Sequence, residues 1–146
     1  MTMIEKVLFT GKAHTTASRR EGPSHADHGS LDLKLTASTG QEHQLTAVQP
    51  HPTAEQLFAG AWSACYSAAI GVVAQQKKVK LSPDLSVDIE VDLLQSGAAW
   101  FLRARLNVHV PGVPREMAEA LAHGAHEICP YSKATRGNID VALNVI

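Results

Sequence analysis

The sequence predicts an α+β fold, a mostly antiparallel sheet with helices packed against one face. Three observations carry this. A long helical run with almost no charge occupies residues 55–76. Two runs of alternating apolar and polar residues follow it, separated by Gln95-Ser96-Gly97. A second helical pattern then leads into a last alternating run, Ile139, Val141, Leu143 and Val145.

Each element has a local cause. Val7-Leu8-Phe9-Thr10 reads as an opening strand, and the polar stretch 15–29, with Arg19, Arg20, Gly22 and Pro23, reads as a loop. Leu31-Asp32-Leu33-Lys34-Leu35 alternates as a half-buried strand, and 37–52 reads as a second loop ending at Pro50 and Pro52. Thr53-Ala54-Glu55-Gln56 fits a capping box, with Thr53 as the N-cap and Gln56 at the third helical position. Leu57, Phe58, Ala61, Trp62, Cys65, Ala68, Ala69 and Val72 then recur at helical spacing. The other faces carry Ala, Gly and Ser, which places this helix in the middle of a fold.

In the hairpin, Val87, Ile89, Val91 and Leu93 alternate with Asp88, Glu90 and Asp92. Leu102 to Val110 alternates with Arg103, Arg105, Asn107 and His109. An acidic row therefore faces a basic one, which supports pairing of the two strands. Pro114 opens a second helix through Met117, Leu121 and Ala125 to about Ile128, and Pro130 stops it. The 55–76 helix is too apolar for one sheet to cover. A second subunit would cover the rest, giving a homodimer; the alternative is that the chain's own second helix suffices.

The 146 residues suit one domain, 1–146, with a real core. A formal net charge of −1 gives no basic excess for nucleic acid and no acidic tail. The N-terminus has no signal-peptide pattern, and the apolar window Ala59–Ala74 is short of the ~20 residues of a membrane span. A cytoplasmic protein with no membrane partner is the expectation. In that compartment stable disulfides are rare and transient catalytic ones are allowed.

The chain has two cysteines, Cys65 and Cys129. By periodicity alone Cys65 reads as a packed core cysteine. The wider pattern points elsewhere. Glu55-Gln56-Leu57-Phe58, Ser63-Ala64-Cys65, and Cys129-Pro130-Tyr131-Ser132 with Ala134-Thr135-Arg136-Gly137-Asn138-Ile139-Asp140-Val141 resemble the organic hydroperoxide resistance proteins, the Ohr branch of the OsmC/Ohr family. The resemblance spans essentially the whole chain, and Pro130-Tyr131 after the second cysteine favours that branch. It implies an intertwined homodimer, with sheets wrapped around central helices and active sites at the subunit interface. It further implies a peroxidase for alkyl or lipid hydroperoxides, with no metal, haem or flavin, recycled by a dihydrolipoyl group on a protein. The alternatives are a general OsmC-type peroxidase and a thiol redox sensor that does not cycle.

The resemblance assigns Cys65 as the peroxidatic thiol and Cys129 as the resolving thiol, joined in a disulfide. It implies an arginine beside the peroxidatic sulfur and a glutamate, Glu55, that orients it. Counting back from Gly22 selects Arg20 as that arginine; counting from the first strand selects Arg19. Arg20-Glu21-Gly22 keeps the arginine–acid–glycine order of the family, so Arg20 is preferred. Thr53-Ala54 stands where the family has Asn-Pro, and Ala61-Trp62 where it commonly has Gly-Tyr. Tyr131, Phe58 and Trp62 are candidates for an apolar substrate pocket, with core packing the competing reading for Phe58 and Trp62. Glu55 also suits the first turn of a helix on electrostatic grounds alone. Arg136-Gly137-Asn138 reads as a turn. His123, His126 and Cys129 fall at three-residue steps, but that spacing drifts around a helix and lacks a fourth ligand.

Overall fold

The computed structural model describes residues 5–16, 32–36, 42–47 and 53–146. Six strands form one mixed sheet: β1 (Lys6–Thr16), β2 (Asp32–Thr36), β3 (Glu42–Ala47), β4 (Ser86–Ser96), β5 (Ala99–His109) and β6 (Asp140–Val145). Their order across the sheet is β2-β3-β1-β4-β5-β6. The helices are α1 (Ala54–Gln76), α2 (Arg115–Ile128) and α3 (Pro130–Thr135).

Most of this follows the expected α+β pattern, with two corrections. The stretch 37–52 holds a strand, β3, which pairs antiparallel with both β1 and β2. Glu42-His43-Gln44 has too few apolar residues to show alternation. The opening strand runs on to Thr16 rather than ending near Thr10. The last strand, whose direction the sequence left open, is parallel to β5. A parallel neighbour needs a crossover, and α2 with α3 supplies it.

The α1 N-terminus forms as its sequence dictates. Thr53 Oγ1 accepts from the Gln56 N–H at 3.2 Å, and Gln56 Oε1 accepts from the Thr53 N–H at 2.9 Å. Gly11 of β1 lies against this first turn. A Cβ at Gly11 would sit 2.5 Å from the Glu55 carbonyl carbon and 2.6 Å from the Gln56 nitrogen. Glycine thus permits strand and helix to approach closely.

The helix runs 23 residues, longer than the apolar window suggested. By length and composition alone it could cross a membrane, yet most of it is buried within the fold. Its core side is Ala59, Trp62, Tyr66, Ile70 and Val73. These pack with Val87, Ile89, Val91, Ala104, Leu106 and Val108 of the sheet and Leu121, Ala122 and Ala125 of α2. Each large side chain fully buried contributes roughly 1.5–3 kcal/mol. The sequence reading set Leu57 and Val72 on the buried face. Instead Leu57 is 46% exposed and Val72 half-buried. An all-round apolar helix gives periodicity little to discriminate.

The outer face of the sheet carries the charge rows, in the expected register of Asp92 opposite Arg103 and Glu90 opposite Arg105. Asp92 is only 1% exposed. Arg105 Nη1 donates to it at 2.6 Å, Arg103 Nη2 at 2.9 Å and Thr10 Oγ1 at 2.6 Å. Arg105 Nε also reaches Glu90 at 2.8 Å, and Lys12 reaches Glu90 at 2.7 Å. The network ties β1, β4 and β5 together. It holds the Asp92 carboxyl far below the usual range, chiefly through Arg105. A bulge in β1 between Val7 and Phe9 shifts the register at this end.

Two outcomes are expected. Asp92→Asn should lose about 1–3 kcal/mol in urea unfolding at pH 7, the usual cost of breaking a buried pair discounted for partly exposed arginines. A carboxyl depressed in the folded state stabilises fully above its unfolded pKa of about 3.9, and that stabilisation fades as pH falls further. The gap between wild type and variant should therefore narrow below about pH 4; a constant gap down to pH 2 would refute the assignment. Gly11→Ala should cost about 1–3 kcal/mol in thermal unfolding, because the added methyl meets backbone that cannot yield cheaply.

Candidate active site

Cys65 lies midway along α1, at the edge of its buried face, and is partly exposed. Cys129 is fully buried at the corner between α2 and α3. The chain turns there because Pro130 cannot continue α2. Cys129 adopts an extended conformation and caps α2, while Pro130 starts α3 at its first position. The sequence reading took Pro130 only as a stop; it is also a start, which proline's fixed φ suits.

The corner meets α1 beside Cys65. The two sulfurs stand 3.3 Å apart, as free thiols. A disulfide bond of about 2.05 Å would require the two sulfurs to close by roughly 1 Å. The Tyr131 backbone N–H donates to the Cys65 sulfur. Pro130 has no N–H, so Tyr131 carries the first available amide after the cysteine. A second contact lies next to the thiols: the Trp62 indole N–H donates to Ser132 Oγ at 3.1 Å, with both residues fully buried.

Burial dominates the electrostatics. The Cys65 thiol is pushed up to about 11, chiefly by burial, with the Tyr131 amide lowering it and the Cys129 neighbour raising it. Among the described residues these interactions leave Cys65 protonated at neutral pH. Arg19 and Arg20, the candidates for a stabilising cation, lie outside the described residues. Glu55 sits in the first turn of α1, half-buried.

The aromatic candidates separate. Tyr131 is 42% exposed beside the thiols. Phe58 is half-buried and meets Trp62 edge-on, with ring centroids 5.6 Å apart. Trp62 has no exposed surface in this chain, so it is a core residue rather than part of an open apolar approach. Sequence reasoning missed Ser132 and the Tyr131 amide. Both residues stand in the Cys129-Pro130-Tyr131-Ser132 motif, but nothing in the motif shows that Ser132 would meet Trp62 or that the Tyr131 amide would meet Cys65.

Around the corner, Thr135 Oγ1 donates back to the Tyr131 carbonyl at 3.1 Å. Arg136 Nη2 donates to the His126 carbonyl at 2.8 Å and its Nη1 lies 3.4 Å from Glu127. Gly137 then takes a positive φ of 79° in the turn toward β6. Among the described residues no three His, Cys, Asp or Glu side chains converge as a metal site.

The OsmC-like protein family model matches residues 40–144. The chain belongs to the OsmC/Ohr family. It is 40% identical over 146 residues to the organic hydroperoxide resistance protein of Xanthomonas axonopodis pv. citri, covering 99% of both chains. The crystal structure of the organic hydroperoxide resistance protein OhrB of Bacillus subtilis superposes with a TM-score of 0.62 at 30% identity, covering 92% of this chain and 97% of that one. An organic hydroperoxide resistance protein from Legionella pneumophila, described as a predicted redox protein, gives 0.61 at 32% identity, with 99% and 96% covered. OsmC/Ohr membership thus rests on matches across nearly the full length, and the thiol pair lies within the matched region.

Proposed function

We propose that this OsmC/Ohr protein is a thiol peroxidase that reduces organic hydroperoxides to alcohols. The observation that carries the reading is the 3.3 Å contact between two free thiols at a buried corner. The names of its relatives supply the substrate class.

In the proposed cycle the Cys65 thiolate attacks one peroxide oxygen. The O–O bond breaks, two electrons pass from sulfur to peroxide, and the departing alkoxide takes a proton to leave as the alcohol. Cys65 is left as the sulfenic acid. The Cys129 sulfur then attacks the Cys65 sulfur, water is lost, and the disulfide forms. A dithiol, which we assign to a dihydrolipoyl group carried by a protein, returns both thiols and is itself oxidised.

The first step needs a thiolate, and burial opposes one. We assign Arg20 to that task, oriented by Glu55, because a guanidinium can meet the sulfur and a peroxide oxygen together. Phe58 and Tyr131 supply apolar surface for an alkyl group. Leu57, Ala61, Cys65 and Val72 line one side of α1 that the chain itself does not fully cover. A second copy would cover it, and we propose a homodimer on that ground.

Cys65→Ser should abolish consumption of cumene hydroperoxide. Cys129→Ser should consume one equivalent and accumulate a sulfenic acid that dimedone traps; continued cycling with dihydrolipoamide would remove Cys129 from the mechanism. Arg20→Ala should slow the first step at pH 7 by about 10- to 1,000-fold, the thiolate fraction corresponding to a shift of 1–3 pH units. The sign follows from the thiolate being the deprotonated form: the variant's rate should keep climbing toward pH 11, while the wild-type rate levels off earlier. A larger loss in Arg19→Ala would move the assignment by one position.

A further inference from the structure

We infer that the Trp62–Ser132 hydrogen bond is a latch that sets the geometry of the thiol pair. Trp62 and Ser132 are then positioning residues for disulfide formation, an assignment whose catalytic meaning rests on the peroxidase reading.

The argument is one of placement. Trp62 lies three residues before Cys65 on α1, and Ser132 lies three residues after Cys129 on the first turn of α3. Their bond, at 3.1 Å, joins two residues with no exposed surface. Among the described residues, two groups touch the Cys65 sulfur, Cys129 Sγ and the Tyr131 N–H, and both come from the N-terminal end of α3. The turn is internally rigid: the Lys133 N–H donates to the Cys129 carbonyl at 3.0 Å, and the Arg136 N–H to the Ser132 carbonyl at 3.0 Å. Fixing Ser132 therefore fixes Cys129 and the Tyr131 amide as one body.

Apart from the two contacts made to the Cys65 sulfur itself, by Cys129 and by the Tyr131 N–H, no other side-chain hydrogen bond joins α1 to α3 among the described residues. A neighbouring bond, from the Tyr66 hydroxyl to the Ala122 carbonyl at 2.6 Å, holds α1 to α2 and not to the corner. Without the latch a buried donor and acceptor lose their partners, and the corner is free to move off α1 to let water reach them. A displacement of about 1 Å in a reacting pair costs on the order of 100-fold in rate.

The test uses reduced wild type, Trp62→Phe, Ser132→Ala and the double variant. The thiol pair is equilibrated with reduced and oxidised glutathione. One glutathione disulfide and two protein thiols exchange to one protein disulfide and two glutathione thiols, so the equilibrium reports how well the pair is preorganised. Each single variant should lower that equilibrium constant about 10- to 100-fold. The double variant should fall no further than the single variants, because all remove the same bond.

Val108→Ala opens a cavity in β5, in the sheet side of the core, and should lower the melting temperature while leaving the equilibrium unchanged. With one equivalent of cumene hydroperoxide, the latch variants should still form sulfenic acid but close the disulfide more slowly. Excess hydroperoxide should then convert more of their Cys65 to the sulfinic acid. If Trp62→Phe does not fold, Ser132→Ala, which deletes one hydroxyl, decides the matter. An unchanged glutathione equilibrium in the folded variants overturns the latch. A wild-type pair that exchanges with glutathione yet forms no disulfide with hydroperoxide overturns the peroxidase reading and leaves the latch standing.

Discussion

The seating of the α2–α3 corner on α1 is the constraint from which the rest of the site follows. Two sulfurs separated by 64 positions in sequence meet because this corner closes against the middle of one helix. Several ordinary forces act together there. Pro130 breaks one helix and starts the next. The small residues Ala118, Ala122 and Ala125 let α2 lie close on α1. Gly124 comes so near Val73 that a Cβ would stand 3.0 Å from one of its methyl groups. Trp62 fills the space beneath the corner and bonds to it. The sheet serves this arrangement by carrying β5 into α2 and receiving α3 into β6.

The same burial that brings the thiols together works against their chemistry. Burial raises the Cys65 thiol and favours its neutral form, although the residue is partly exposed. The Tyr131 amide offsets part of this and no more. Packing and ionisation thus have opposing requirements: the first favours a tight apolar corner, the second a polar surrounding for the charged sulfur.

The two faces of the fold carry different duties. The outer face of the sheet is closed by its own ion pairs, with Asp92 satisfied by two arginines and a threonine. The helical face is closed over Trp62 and Tyr66 but leaves Leu57, Ala61 and Val72 only partly covered beside Cys65. Cys65 therefore lies on the boundary between the finished core and the unfinished surface. Kinship with the OsmC/Ohr proteins extends over both faces.

Much of this was legible in the residues. The capping box at Thr53, the β4–β5 hairpin, the charge rows and the stop at Pro130 are local signals, set by hydrogen bonding and periodicity within a few residues. So was the choice of cysteines, through the motifs around them. Strand β3 was not legible, since Glu42–Ala47 is too polar to alternate clearly and pairs only because β1 offers an edge. Nor was the direction of α1: a helix apolar on every side does not reveal which face the sheet will claim. Local sequence settled where elements begin and end, because those choices depend on neighbours in the chain. Tertiary packing alone decided that Trp62 faces inward, that Ser132 meets it, and that the thiols touch, because each depends on surfaces brought together from distant segments.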